Sequence, residues 1–568
     1  MLDRAPCTLG PLRLARCRII PSSARVPARG SMEVFEVVIA LLLVGAGLAA
    51  LARRLRTPYP ALVALAGAAL ALVPGTPALA LDPELALALF VAPVLLDAAF
   101  DASPRDLRAN WRPVASLAFG AVALTVAAVA LVARALVPEL PWAAAVALGA
   151  IVAPPDAAAA TAVLRQLRPP HRLLVILEGE SLFNDASALL VYRLAVAAVG
   201  GATLGWSVLP MLLVVTAGSI ALGLALSRVT LVVSARIEDV ATSVIVQFTT
   251  VFGVWLLAER LHLSGILTMV VYAMAVARVA PDVMPARLRI PSYAVWEVAV
   301  FVLNVLAFIL VGLQLKQILA RLDRPTLIEY AVVAAVVTAA TILTRIAWVT
   351  GAAALSRWWC GHRADAAPSP AQAVALPPKA AAVVAWCGMR GTVTLAAALA
   401  LPTGRDGATP FPYRDLILFT AFAVVLGTLV LQGMTLRPLL TRLRLADDGE
   451  VDGEVRLARV ETLRAATAVF ADAPDAETAA LLRRRYELRL RHAEAELNGG
   501  TDGGAGVPGE LSADADTLRA AMAAERRRLS ALRADGTIGD DAFHRVEEEL
   551  DWAELNAESL LRTEQGGG

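Results

Sequence analysis

The chain has 568 residues, 58% of them hydrophobic, with a mean hydropathy of +0.65 and a formal net charge of +1. That apolar content lies far above the range of soluble domains. The balanced charge, with no basic stretch interleaved with aromatics, excludes nucleic acid as a partner. Cys7, Cys17, Cys360 and Cys387 show no ligand-like spacing and the five histidines are scattered, so no disulfide framework, resident metal centre or cofactor is read from them.

Residues 1–31 are rich in Arg and Pro and lack the apolar core of a signal peptide. Met32 opens MEVFEVVIALLLVGAGLAAL, a natural first helix, so 1–31 is read as a mis-assigned or disordered leader. Thirteen apolar spans follow, at 33–52, 59–74, 84–100, 113–133, 142–164, 173–199, 207–227, 237–258, 263–280, 294–315, 327–355, 379–401 and 414–436. About 20 apolar residues cross the hydrocarbon as a helix. Residues 32–445 are therefore expected to form an all-α polytopic membrane domain. Alternate loops carry most of the arginines, among them Arg53, Arg105, Arg172, Arg228, Arg287, Arg357 and Arg437, and these loops are assigned to the cytoplasm. With an odd number of spans the N-terminus lies outside and the C-terminus inside a cytoplasmic (inner) membrane. From about Ala446 the pattern becomes charged and Leu/Ala-periodic, and 446–568 is read as a helical cytoplasmic tail broken by a Gly-rich stretch at 498–509.

The sixth span carries an unusual polar load. VILEGESLFNDASALLVYRLAVAA holds Glu178, Glu180, Ser181, Asn184 and Asp185 in its first half. Burying one charged side chain at the bilayer centre costs several kcal/mol, so such groups mark a functional site. At about 100° per residue, Glu178, Ser181 and Asp185 share one face, with Glu180 and Asn184 on the adjoining one. Those oxygens suit a small hard cation. In the fifth span, Pro154 and Pro155 must break or bend the helix just before Asp156. The twelfth has a matching interruption at Cys387–Gly391 containing Arg390. Broken helices near the midplane build secondary-transporter sites, and one in each half predicts inverted repeats, spans one to six and eight to thirteen. Arg345, inside the eleventh span, needs a carboxylate partner, for which Glu180 is the first choice; the alternative is that Glu180 pairs with Arg390 instead. Asp97 in the third span is a further intramembrane carboxylate.

The string GESLFNDASALLVYR resembles the signature of the sodium/proton exchangers of the monovalent cation:proton antiporter-1 family. APPDAAAATAVL, LHLSGILTMVV, FVLNVLAFILVGLQL and GMRGTVTLAAAL resemble that family in the same order, over most of residues 33–442. The tail string IGDDAFHRVEEELDWAEL resembles bacterial members. The resemblance implies that Asp185 binds sodium or a proton in turn, with Ser181 and Asp156 helping to ligate the cation. It implies that Asn184 bonds Asp156, that Glu180 pairs with Arg345, and that Arg390 stabilises the broken twelfth helix. It further implies a homodimer. This chain has Pro155 where many relatives have Thr, and Asp97 where many have Glu, which shortens any contact there by about one methylene.

A carboxylate in a narrow wet cavity holds either a proton or a sodium ion. Competition for one site then enforces exchange, and Asp185 beside a neutral Asn points to one-for-one, electroneutral exchange driven by an ion gradient, serving pH and sodium homeostasis. Potassium/proton exchange is the alternative. A cation channel would not need paired broken helices. An intramembrane hydrolase using Ser181 would lack a His or Lys base within any span, so no enzymatic activity is expected.

Overall fold

The computed structural model describes residues 28–55, 57–74, 83–164, 167, 169–201, 208–320, 322–361, 376–403, 410–445, 448–471, 477–497 and 515–565. Most of the expected leader lies outside these residues; its last four belong to the first helix. All regular structure described is helical.

Helices α1 (Ala28–Leu55) and α2 (Tyr59–Ala71) come first. A π-helical turn at Leu87–Val91 joins α3 (Pro83–Ala86) to α4 (Ala92–Asp101). After α5 (Pro104–Ala109), α6 (Trp111–Ala115) and α7 (Val122–Leu136) flank a second such turn, Ser116–Ala121. One interrupted span gives α8 (Trp142–Val152) and α9 (Ala157–Leu164), followed by α10 (His171–Val199). Then come α11 (Val208–Ser234), α12 (Val240–Arg260), α13 (Gly265–Val283), α14 (Ala286–Leu319) and α15 (Arg324–Gly361). The second interrupted span gives α16 (Pro378–Trp386) and α17 (Thr392–Leu399), and α18 (Arg414–Leu443) closes the membrane part. The tail comprises α19 (Glu450–Ala471), α20 (Glu477–Leu497), α21 (Ala515–Ala534) and α22 (Asp540–Gln565).

Among the described residues nine helices are long and apolar enough to cross a membrane. The expected count of thirteen is not reached by that measure. The remaining expected spans correspond to α2, to the bent α3–α4 segment and to the two interrupted pairs, all too short or too broken to pass as single long helices. Large apolar side chains such as Leu43, Met211, Val214, Ile328 and Leu343 stand exposed on the outer helices, as they would against lipid.

Two buried apolar clusters position the site. One takes in Ala159 to Leu164 of α9 and Ala380 to Ala385 of α16, with residues of α2, α14 and α18. The other takes in Ala144 to Val152 of α8 with Ala397 and Ala398 of α17 and residues of α7. The first half of one interrupted span thus shares its packing with the second half of the other. Between α2 and α14 the backbones touch. A Cβ on Gly312 would lie 2.4 Å from the Ala68 nitrogen, and one on Gly67 would lie 2.5 Å from the Ile309 carbonyl oxygen. Only small residues permit such an approach within a membrane bundle.

The tail has apolar cores of its own. Val455, Leu529, Leu532, Phe543, Val546 and Leu550 bury together, and Val460, Phe470, Leu482 and Tyr486 form a second group.

Candidate functional site

Pro154 and Pro155 supply no backbone N–H, and α8 stops at Val152 just ahead of them. In the facing span, Cys387–Gly391 leaves the helix between α16 and α17. The two breaks bond to each other: the Asp156 N–H donates to the Met389 carbonyl at 2.7 Å. Asp156 Oδ1 accepts from the Ala158 N–H at 2.9 Å, and so caps the restarted helix α9. Gly391 lies against this carboxylate, since a Cβ there would fall 1.6 Å from Asp156 Oδ2. No relaxation of a flexible side chain alone absorbs that overlap, because Asp156 is tethered at its own N–H and at Oδ1. Gly391→Ala is therefore expected to displace Asp156 and to lower exchange by about 10²-fold, the usual cost of a misplacement near 1 Å at a reacting centre. Initial exchange rates in everted vesicles, normalised to inserted protein, check this.

On α10 the five polar residues divide. Glu178, Ser181 and Asp185 line a cavity of about 1210 Å³ that also reaches Asp156, Asp97 and Gly391. Glu180 and Asn184 are buried in protein instead. Asn184 Nδ2 donates to the Pro155 carbonyl at 2.9 Å, and its Oδ1 has no partner among the described residues. The expected bond from Asn184 to the Asp156 carboxylate is therefore replaced by one to the neighbouring backbone. The reason lies in the break: the Pro155 carbonyl has lost its helical donor, whereas the Asp156 carboxylate is already engaged with Ala158.

The two intramembrane arginines end up in different roles. Arg345 makes a bidentate pair with Glu180, with Nη1 2.5 Å from Oε1 and Nη2 2.8 Å from Oε2. It also donates to the Val384 carbonyl near the end of α16, at 3.0 Å from Nη2 and 3.2 Å from Nε. Arg390 meets no carboxylate among the described residues. Its guanidinium donates to the carbonyls of Val152 at 2.9 Å, Ala153 at 3.2 Å, and Gly388. Its own N–H donates to Thr428 Oγ1 at 3.0 Å. Each arginine thus sits at the C-terminal end of a half-helix, where unpaired carbonyls and the helix dipole favour positive charge.

Asp97, on α4, is half-buried and lines the same cavity. Two further residues there went unread in the sequence. Tyr59, whose ring lies tilted against that of Phe301 with centroids 5.6 Å apart, and Asn304 of α14 both line it. Asn304 was legible in principle, as a lone amide in the apolar run FVLNVLAFILV; Tyr59 at a helix start carried no such signal. Among the described residues no group of three or more His, Cys, Asp or Glu could hold a metal ion.

The model of the family described as "Sodium/hydrogen exchanger, transmembrane" matches residues 38–442. An uncharacterized Na+/H+ exchanger of Mycobacterium tuberculosis is 31% identical over 538 residues, spanning 92% of this chain and 96% of its own. A sodium, potassium, lithium and rubidium/H+ antiporter of Bacillus subtilis is 31% identical over 433 residues, 72% of this chain and 62% of its own. In fold, the chain is similar to the sodium proton antiporter MjNhaP1 of Methanocaldococcus jannaschii, with a TM-score of 0.56 at 18% identity, over 72% of this chain and 99% of that one. Crossed interrupted helices, a carboxylate at the break and a match across the whole membrane part lead to one conclusion: the chain belongs to the sodium/hydrogen exchanger family.

Proposed function

We propose that this antiporter exchanges sodium, or lithium, for protons one-for-one, with Asp185 carrying the proton and the cation in turn. The observation that carries this reading is the placement of Asp185, Ser181 and Asp156 around one cavity where two interrupted helices cross. Asp156 and Ser181 complete the cation's oxygen ligands, and Asn184 holds the break that presents Asp156. Glu180 with Arg345, and Arg390 on the α8 carbonyls, fix the half-helices without taking part in exchange. Asp97 stands along the approach. No cofactor is required, because competition between two ions for one carboxylate couples their fluxes. The protein would work as a homodimer in the cytoplasmic membrane, with the tail on the cytoplasmic side, in pH and sodium homeostasis.

Potassium is the second cation to test, since the Bacillus subtilis relative is named for sodium, potassium, lithium and rubidium and oxygen ligands alone separate these ions poorly. Proton movement in everted vesicles, recorded with each chloride salt in turn, orders them. In reconstituted liposomes, clamping the membrane potential with valinomycin and potassium is expected to leave the sodium flux unchanged. A flux that follows the imposed potential would refute one-for-one exchange.

A further inference from the structure

The cavity that holds Asp156 and Asp185 is not lined by the membrane helices alone: Asp541, His544, Glu547 and Asp551 of α22 form part of its wall. The tail reaches this position through charge pairs of one polarity. Arg105 Nη2 donates to Glu454 Oε1 at 2.7 Å, and Arg105 Nη1 to the Gly536 carbonyl at 3.1 Å. Arg289, fully buried, donates from Nε to Asp551 Oδ2 at 2.8 Å and lies 3.4 Å from Glu547 Oε1. His171, at the start of the helix that carries Asp185, has Nε2 3.3 Å from Asp106 Oδ2 and Nδ1 3.3 Å from Asp541 Oδ2. In two neighbouring contacts the tail is the donor: Ser530 Oγ to Asp282 Oδ1 at 2.7 Å, and Arg533 Nη1 to the Ala277 carbonyl at 3.1 Å. The His544 ring stacks on Phe100, with centroids 6.3 Å apart.

We infer that His171 in the cavity wall, together with Arg105 and Arg289, which pair with the tail, is a docking surface for the chain's own acidic tail, and that the docked tail restrains exchange by covering the mouth of the ion path. This rests on the proposed antiport and deepens it. A buried pair such as Arg289–Asp551 desolvates both groups, and that is tolerable only where geometry is good and other bonds complete the set. Here the Pro281 and Met284 carbonyls complete it, accepting from Arg289 at 2.7 and 3.0 Å. The membrane part is therefore built at Arg289 to receive the tail.

His171 makes docking depend on protons. A neutral imidazole has one N–H, and here both ring nitrogens face carboxylate oxygens, so the docked arrangement calls for two. Asp106 faces it from the membrane part, itself bonded by Arg105 Nε at 2.9 Å, and Asp541 from the tail. On its own helix Arg172 is turned away to Asn110 Oδ1 at 2.9 Å. Above the ordinary imidazole range, near pH 6.5, docking must take up a proton. Docking is thus favoured as pH falls and weakened as pH rises, so the restraint lifts in alkaline cytoplasm, where proton import is needed.

The test uses the full chain with Asp541→Asn and Asp551→Asn together, changes confined to the tail. Two readouts are taken in everted vesicles. The first is alkylation of Asn304→Cys, a cavity position, by a membrane-impermeant maleimide; the second is sodium-driven proton movement across a pH series without the added cysteine. Release is expected to speed labelling and to raise exchange about five- to tenfold at neutral pH, a usual range for coupling between sites, with little gain at alkaline pH. His171→Gln should move the onset of activity toward acid pH. As a complement, Ser530→Cys with Asp282→Cys, oxidised to a cross-link, should suppress exchange, and reduction should restore it. Unchanged labelling in the released variant, or a cross-linked protein that exchanges as fast as its reduced form, would overturn the plug. Exchange that fails to rise on release, with labelling altered as expected, would also overturn the restraint, whereas absence of exchange from the unmodified chain would instead strike the antiport reading.

Discussion

Asp185→Asn is expected to abolish exchange while the protein remains inserted and folded. The amide is nearly isosteric with the carboxylate, so the packing of α10 is kept, yet it can neither hold a proton in exchange for sodium nor balance the cation's charge. The measurement is cation-dependent proton movement in everted vesicles, with membrane insertion quantified in the same preparation. Substantial movement in a well-inserted Asp185→Asn protein would refute the mechanism. Asp156→Asn should be severely impaired as well. Because Asn still accepts from the Ala158 N–H, that variant should keep the start of α9 and lose only the charge. Ser181→Ala should mainly weaken apparent cation affinity, since a water can replace one neutral ligand.

The second large effect concerns stability. Glu180 and Arg345 are each about 98% buried and face each other as a bidentate pair. Removing either partner strands the other charge and should cost roughly 3–5 kcal/mol. Glu180→Gln and Arg345→Gln are therefore each expected to lower thermal stability sharply, more than they lower the cation affinity of the protein that survives. The double variant should recover part of the loss, with the Val384 carbonyl limiting full recovery because it too loses its donor. Arg390 is the control. Its donors go to Val152, Ala153 and Gly388, so its coupling to Glu180 should be weak. A double-mutant cycle on melting temperature separates the two, and additive losses for Glu180 with Arg345 would reject the pair.

Much of the site was legible because membranes penalise polar groups so heavily. Each carboxylate or arginine in an apolar run announced itself, and helical spacing separated the cavity face of α10 (Glu178, Ser181, Asp185) from the face turned into protein. Double proline and CGMRG marked the two breaks. What periodicity does not carry is the identity of backbone acceptors. Nothing in the spacing of Asn184 says that its amide meets the Pro155 carbonyl and not the Asp156 side chain, or that the Arg390 guanidinium meets carbonyls and, among the described residues, no carboxylate. Those choices depend on which groups a break leaves unpaired, and that is fixed only once the helices cross. The tail was legible as amphipathic helices, but its placement depends on pairs separated by hundreds of residues, such as Arg289 with Asp551. Helix ends also shifted for a plain reason: α14 runs from Ala286 to Leu319, beyond the apolar window, because interfacial polar residues continue a helix that hydropathy truncates.

On the proposed mechanism, the charge of Arg390, which holds the break without binding the ion, bears on the valence of what can pass. Counting only the carboxylates Asp156, Glu180 and Asp185 and the guanidiniums Arg345 and Arg390, apart from Asp97 and Glu178 elsewhere in the cavity wall, the cluster with all groups ionised carries a single negative charge. One proton or one monovalent cation brings it to neutrality. A divalent ion would leave it positive by one, and an uncompensated charge is costly to move through a low-dielectric core. Calcium or magnesium can thus occupy such oxygens from the wet side and block them, yet gain no passage, and the discrimination needs no size filter. Were Arg390 replaced by a neutral donor such as Gln, the empty cluster would carry two negative charges, and it would then be a divalent ion that leaves it neutral.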